Sequence, residues 1–333
     1  MRRTSGYVIG VDLGGTNLRS ILMDSKARVW GRDSRESLAS QGKEATIDQI
    51  VSSVRAVLEK AGSMDIPHPS ISGVGVGCPG PLNTKEGIVY FAPNFSGWEN
   101  VPLVRILRDK IQLPIFLEND ANAAALGEWW IGAGRDVDDL VLLTLGTGIG
   151  GGIIIQGEVL HGAWDTAAEI GHMIIHEGGL LCSCGARGHL EAYASATAVV
   201  ARTLAAIKQG RRTILKEWLG GKLDNLSSEL IFRAAGEEDE LSSEILEETA
   251  RFLGIGIANL VNLFNPRLVI LTGGMIQAGP LLLEPVRKYA REYSLKASIR
   301  GVRIVPAKLG ADSGTIGAAA AVLKRKGLLY REV

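Results

Sequence analysis

The chain lacks any charge imbalance: 36 lysines and arginines stand against 36 aspartates and glutamates. Whole-chain charge therefore offers nothing to a nucleic-acid backbone or an anionic membrane surface, and a small-molecule partner is the better expectation. Cysteine is scarce as well. Three thiols in 333 residues are no disulfide framework, and Cys182 and Cys184 lie too close in sequence to tie distant segments together. A reducing, cytoplasmic setting fits that usage. Long apolar runs are missing: nothing approaches the roughly 20 glycine-poor apolar residues of a membrane span. The apolar run after the basic N-terminus is broken by Asp12, too early for a secretion signal. A Walker A loop, with its Gly-Lys-Ser/Thr ending, is also absent.

Glycine, by contrast, is abundant. The 42 glycines are nearly double the usual share of about 7%, and they cluster in short loops where backbone can approach a ligand closely. With 333 residues, 46% of them hydrophobic, the chain exceeds what one core usually serves, so two domains are expected.

Tyr7 to Val11 reads as a buried strand, Asp12-Leu-Gly-Gly-Thr16 as a tight turn, and Leu18 to Met23 as the returning strand. The pattern recurs: Leu140 to Leu145 is a strand, Gly146-Thr-Gly-Ile-Gly-Gly-Gly152 a glycine turn, and Ile153 to Gln156 a return. Two such units suggest two similar α/β domains, each with an anion-binding turn. The second turn formally matches a dinucleotide fingerprint, but that fingerprint opens a helix, and Ile153-Ile-Ile155 continues as strand.

Between the repeats, Thr46 to Lys60 has helical spacing, with Thr46 and Gln49 as a capping box. Ile71 to Gly77 reads as a strand, leading to Cys78, expected to be an inert buried thiol. A loop follows from Ala92 to Trp98, then a helix from Leu103 to Ile111 and a strand from Pro114 to Leu117. That strand runs into an alanine-rich helix with Asp120 at the junction, where a carboxylate either caps the helix or serves as a general base beside its positive end. Residues from Glu191 to about Phe264 are mostly helical. Leu268 to Leu271 and Val302 to Ala307 read as strands, the first ending in Thr272-Gly-Gly274, and Ile316 to Lys326 as a final helix expected to pack on the first domain.

Several groups carry chemistry. Three glycine turns at strand ends suit phosphoryl transfer, which needs backbone donors and a metal around a triphosphate. Asp12 beside the first turn is a candidate Mg²⁺ ligand through water. His172, Cys182, Cys184 and His189 are four nitrogen and sulfur donors within eighteen residues, enough for a tetrahedral zinc site; the plain alternative is loop cysteines beside unrelated histidines. Glu169, His172 and Glu191, with Asn119 and Asp120, offer the mixed donors and acceptors that sugar hydroxyls require.

These residues resemble the ROK (repressor, open reading frame, kinase) family of sugar kinases, in particular the bacterial glucokinase type. The likeness rests on Asp12-Leu-Gly-Gly-Thr16, Pro79-Gly80, Glu118 to Glu128, Gly146 to Gly152, Glu169-Ile-Gly-His172, Cys182 to Gly188 and Thr272-Gly-Gly274, in that order along nearly the whole chain. The resemblance implies an α/β, two-domain actin-like ATPase fold (hexokinase/ribonuclease H-like) with sugar and ATP in a cleft. The small domain would be 1–120 plus the C-terminal helix 314–333. The large one would be 121–313, with the zinc loop and a helical insertion.

By the same resemblance Asp120 is the catalytic base, and Asn94, Asn119, Asp120, Glu169, His172 and Glu191 bind the sugar. Asp12, Gly14, Gly15 and Thr16, then Gly146, Thr147 and Gly148, hold phosphates with Mg²⁺, while Gly273 and Gly274 face adenosine. His172, Cys182 and Cys184 match zinc ligands, with His189 standing where the family usually has cysteine. ATP-dependent phosphorylation of the 6-hydroxyl of glucose is the reaction implied, by a homodimer or homotetramer. Fructose, mannose, N-acetylmannosamine or N-acetylglucosamine are the alternative hexoses, and a non-catalytic sugar-binding protein is the alternative class. Polyphosphate stays open beside ATP as donor. ROK repressors carry a helix-turn-helix ahead of the sugar-binding region; a first strand at Tyr7 leaves no room for one, so no nucleic-acid or membrane role is expected.

Overall fold

The structure is a computed structural model and describes residues 6–64, 66–67, 70–92, 94–329 and 331. The basic N-terminus read above, and Pro93 within the expected loop, lie outside the described residues.

Near-continuous buried runs build the central strands of the first sheet, and only one edge strand alternates with exposed residues. Strands β1 (Tyr7–Leu13), β2 (Asn17–Asp24) and β3 (Val29–Glu36) form an antiparallel meander, with Leu13 opposite Leu18 at the glycine turn. Helix α1 (Lys43–Gly62) leads to β4 (Ile71–Cys78), which returns parallel to β1. A small sheet of β5 (Leu82–Asn83), β6 (Ile88–Phe91) and β7 (Glu99–Val101) comes next, then α2 (Leu103–Ile111), β8 (Ile115–Asn119) and α3 (Asp120–Ile131). The sheet order is β3-β2-β1-β4-β8.

The second sheet comprises β9 (Leu140–Leu145), β10 (Ile149–Ile155), β11 (Glu158–Val159), β12 (Leu268–Thr272) and β13 (Arg303–Pro306), ordered β11-β10-β9-β12-β13. Helices α4 (Glu191–Ala194), α5 (Ala196–Lys208), α6 (Leu215–Trp218), α7 (Ser228–Gly236) and α8 (Glu240–Phe264) lie between β11 and β12. After β12 come α9 (Pro280–Tyr293) and α10 (Lys296–Ile299), and α11 (Ser313–Arg325) closes the chain. Two compact units result: one of Met1–Asp138, Gly152–Ala167 and Ala307–Val333, the other of Asp139–Gly151 and Ala168–Pro306. On this division the whole of α3 belongs to the first unit.

Several elements depart from the sequence reading: β1 runs through Asp12 to Leu13, and α11 starts at Ser313 rather than Ile316. Helix α1 starts at Lys43 with Gly42 as its uncapped N-cap, and Thr46, fully buried, donates its hydroxyl back to the Gly42 carbonyl at 3.2 Å instead of forming a capping box. Strand β10 starts at Ile149, inside the expected glycine turn, because its glycines fit the extended ladder. Helix α9 was not anticipated, having a proline both at its first position and inside it.

Within the first unit, α11 presses on α3 and on strands β1 and β4, and glycine sets the spacing. A Cβ on Gly317 would lie 1.5 Å from the Ala123 carbonyl oxygen, and one on Gly127 2.3 Å from that of Ser313. On the sheet side, a Cβ on Gly10 would meet the Thr315 oxygen at 2.0 Å, and on Gly75 the Ala318 oxygen at 1.9 Å. At the far end of α3, the fully buried Glu128 accepts hydrogen bonds from the backbone N–H groups of Ala133, Lys308 and Leu309 and from the Ser313 hydroxyl, all at 2.8–3.0 Å. One carboxylate thus latches the end of α3 to the start of α11.

Gly317→Ala forces backbone apart in a close-packed interior, so a loss of about 3 kcal/mol is expected, read as a fall in Tm of about 5–10 °C. Gly62→Ala, with no atom within 4 Å of the added methyl, is the control and leaves Tm unchanged or slightly raised. Equal melting of the two variants would remove the close-approach account.

Candidate active site

Parallel pairing of β1, β4 and β8 aligns their carboxyl ends. Asp12 stands opposite Gly77, and Gly77 and Cys78 stand opposite Glu118 and Asn119. The carboxyl edge of parallel strands is where open α/β sheets place their ligands, and Asp120 follows directly at the start of α3.

Asp12 and Asp120 are both half-buried. Burial, then the neighbouring Asp120 charge, pushes the Asp12 carboxyl up to about 6, against the opposing pull of Arg19. Burial raises Asp120 as well, opposed by its hydrogen bonds with the Ala121 N–H, its own amide and Asn119. The Asp12 carboxylate also lies against the first turn of α11, where a Cβ on Gly314 would come within 2.9 Å of its Oδ1. Glycine there opens the positive end of the helix to an anion. Cys78 between the two aspartates is fully buried, and burial together with both carboxylates keeps its thiol protonated. It is the inert thiol expected.

The capping assignment at the junction is corrected. The N-cap of α3 is Asn119, whose side-chain oxygen accepts the N–H groups of Ala121 at 2.9 Å and Asn122 at 3.1 Å. Asp120 is the first helical residue, and its Oδ1 shares the Ala121 N–H at 2.8 Å. The carboxylate is held at the helix start without serving as its cap. Asn119, expected only as a sugar ligand, spends its oxygen on the cap, and its amide NH₂, which also bonds the Asp120 carboxylate, is the group left to meet a ligand. Gly14 donates its N–H to the Asn17 carbonyl at 2.9 Å, closing the first glycine turn. Gly15 and Thr16 are exposed in that turn, and exposed Asn94 lies beside Gly15, 3.5 Å from where its Cβ would be.

In the second unit, Gly146, Thr147 and Gly148 form the turn after β9, closed by the Gly146 N–H on the Gly148 carbonyl at 3.0 Å. The start of α5 holds it: Ala196 N–H donates to the Gly146 carbonyl at 2.9 Å and the Thr197 hydroxyl to that of Thr147 at 2.8 Å. Glu191, expected only as a sugar ligand, accepts the Ile149 N–H at 2.8 Å and the Ser183 hydroxyl at 3.1 Å. It therefore ties the glycine turn to the cysteine loop, a link no local sequence signal announces. Gly273 and Gly274 are exposed after β12, with Thr272 opposite Thr144 of β9. A Cβ on Gly273 would meet the Leu145 oxygen at 2.3 Å, so the two turns leave adjacent parallel strands.

His172, Cys182, Cys184 and His189 bring their donor atoms within 4.8 Å of one another. His172 Nδ1 is 3.2 Å from His189 Nδ1 and 3.9 Å from Cys182 Sγ, and Cys184 Sγ is 3.3 Å from His189 Nδ1. A tetrahedral ion with bonds of about 2.0 Å to nitrogen and about 2.3 Å to sulfur has ligand–ligand edges of about 3.3–3.8 Å, so the donor set fits one. With Nδ1 in that cluster, His172 keeps Nε2 for other work, 4.0 Å from the exposed Glu169 carboxylate. Among the described residues, no helix is long and apolar enough to cross a membrane.

The family model described as ROK family matches residues 8–325. A glucokinase from Thermotoga maritima is 37% identical, covering 96% of this chain and 98% of that protein. A xylose repressor from Caldicellulosiruptor bescii is 34% identical over 96% of this chain and 78% of that protein. Among solved structures, a ROK family glucokinase from Streptomyces griseus in complex with glucose and AMPPNP is similar with a TM-score of 0.79 and 35% identity, covering 95% of this chain and 99% of that one. The fold is accordingly the α/β, two-domain actin-like ATPase fold.

Raised carboxyl pKa values have a definite sign. The folded chain holds the Asp12 proton more tightly than the unfolded chain, so folded stability declines as pH rises from about 4 to about 6. Asp12→Asn removes that cost and should melt about 4–8 °C above the unmodified chain at pH 7.5 in metal-free buffer, with the gap closing toward pH 4. A variant that melts at or below the parent at pH 7.5 contradicts the electrostatic description.

Proposed function

The chain belongs to the ROK family, and we propose that it is a hexose kinase transferring the γ-phosphoryl group of ATP to the 6-hydroxyl of glucose. The observation that carries this reading is the pair Asp12 and Asp120 at the carboxyl edge of parallel strands, Asp12 against the first turn of α11 and Asp120 opening α3, both with raised pKa values. A carboxylate of raised pKa takes a hydroxyl proton more readily than an ordinary aspartate, provided it is ionised at the working pH.

In this reading Asp120 accepts the proton of the 6-hydroxyl as that oxygen attacks phosphorus in line. Asn94, Asn119, Glu169, His172 and Glu191 are the groups proposed for the remaining sugar hydroxyls. Backbone N–H groups of the turns at Gly14, Gly15 and Thr16 and at Gly146, Thr147 and Gly148 are the proposed phosphate donors, with Gly273 and Gly274 beside the adenosine. Two neighbouring carboxylates that resist joint ionisation fit a divalent cation, and Asp12 is the residue that would hold Mg²⁺. Bound there, Mg²⁺ supplies neutralisation of phosphate charge. His172, Cys182, Cys184 and His189 would hold a structural zinc, and Glu191 extends the influence of that loop to the second glycine turn.

ADP release measured across hexoses and N-acetylhexosamines tests the assignment: glucose is expected to give the highest kcat/KM, and a flat panel with retained sugar binding would instead favour a sensor. Asp120→Asn should lower kcat by about three orders of magnitude or more while glucose still binds; near-normal turnover removes it from the base role. Purified protein should contain about one zinc per chain. Stripping the zinc should lower Tm, and full stability without metal would end the structural-zinc reading.

A further inference from the structure

Glu118 closes β8 one residue before the cap of α3, and its carboxylate is almost wholly enclosed, with 3% of the side chain exposed. A carboxylate in that setting is costly unless paired and hydrogen-bonded. It has both. His161 Nε2 lies 3.1 Å from Oε1 and 3.0 Å from Oε2. Oε1 also accepts the backbone N–H of Asn119 at 3.1 Å and the Asn122 amide at 3.3 Å. Those last two bonds bracket the first turn of α3: one is on the cap residue and the other is one turn inside, with Asp120 between them.

We propose that the Glu118–His161 pair is a positioning element for the reaction, clamping the first turn of α3 so that the Asp120 carboxylate is presented at a fixed height and angle. The proposal rests on the kinase reading above, in which Asp120 is the base. Three features favour a positioning role over simple satisfaction of a buried charge. Besides His161, the donors to Glu118 are the Asn119 N–H and the Asn122 side-chain amide, which flank Asp120 in the first turn of α3. Asn119, the residue it grips by the backbone, caps the same helix with its side chain, so moving Glu118 moves the cap. The imidazole comes from the chain segment after β11, and beside it opens a cavity of about 290 Å³ bordered by Leu126, Glu158, Lys324 and Arg325. The charges around the imidazole include Asp165 and Arg325 as well as Glu118. Misplacing a reacting group by a fraction of an ångström is enough to cost an enzyme a large factor in rate.

The test is a coupled set of variants assayed by phosphoryl transfer to glucose. His161→Gln keeps a donor without the charge, and its side chain, 30% exposed, reaches the surface, so the variant should fold; Glu118→Gln is the isosteric partner change. Each is expected to lower kcat about tenfold with KM for ATP within about twofold. In an Asp120→Asn background the same changes should lower the residual rate by less than about twofold, because a positioning residue has nothing left to position. An equal loss in both backgrounds, or no loss in the parent for either variant, overturns the proposal. A parent chain that phosphorylates no sugar, or an Asp120→Asn variant with parental turnover, overturns the kinase reading itself and the role of the pair with it. Thermal melts run alongside identify any loss that comes from unfolding.

Discussion

The crossing of α3 and α11 at glycine distance is the constraint from which the first unit is built. Gly127 and Gly317 let the two helix backbones meet, and Gly10 and Gly75 let α11 lie on the strands. Neither contact tolerates a methyl group, so this region is specified by the absence of side chains rather than by their shapes. The consequence reaches the chemistry. Asp120 is the first residue of α3, and Asp12 meets the first turn of α11 at Gly314. Two helices forced into one packing arrangement therefore set where two carboxylates stand. Glu128 completes the arrangement at the other end of α3, where four donors converge on one buried carboxylate.

Placing the aspartates together has an electrostatic cost. Burial raises both carboxyls, and the Asp120 charge raises Asp12 further, so the folded chain is less stable near neutral pH. The cost is intelligible if the site is arranged for something absent from the free protein, namely a cation for Asp12 and a proton for Asp120. Stability given up at a site of this kind is the usual trade against function. The protonated Cys78 between them adds no third charge.

Much of this was legible in the sequence because the signals are local. Strand, glycine turn and returning strand are contiguous, and Leu140–Leu145 and Leu103–Ile111 form where periodicity placed them, while the first strand runs two residues past Val11 to Leu13. His172, Cys182, Cys184 and His189 fall within eighteen residues, so their meeting needed no long-range knowledge. What stayed hidden depends on distant partners. The glycines of β1 and β4 carry no local signal of what they contact; only the distant helix α11, laid on them, shows why a side chain is absent at Gly10 and Gly75. Thr46 resembles a cap but is buried by the preceding turn, so α1 begins one turn earlier. At the α3 junction, Asn119 and Asp120 are equally good caps by residue type, and only the backbone angles decide that Asn119 takes the role.

Glu191 shows how the two local signals of the second unit become one device. One carboxylate oxygen accepts from Ile149, at the end of the glycine turn, and the other from Ser183, between the two cysteines. Gly148 has no side chain because that oxygen stands 2.4 Å from where its Cβ would be. A metal that fixes Cys182 and Cys184 thus also fixes Ser183, through it the Glu191 carboxylate, and through that the direction of the Ile149 N–H. The order of the glycine turn therefore depends on the order of the cysteine loop. An ion held by the cysteine loop would thus have a physical route to the backbone of the second glycine turn.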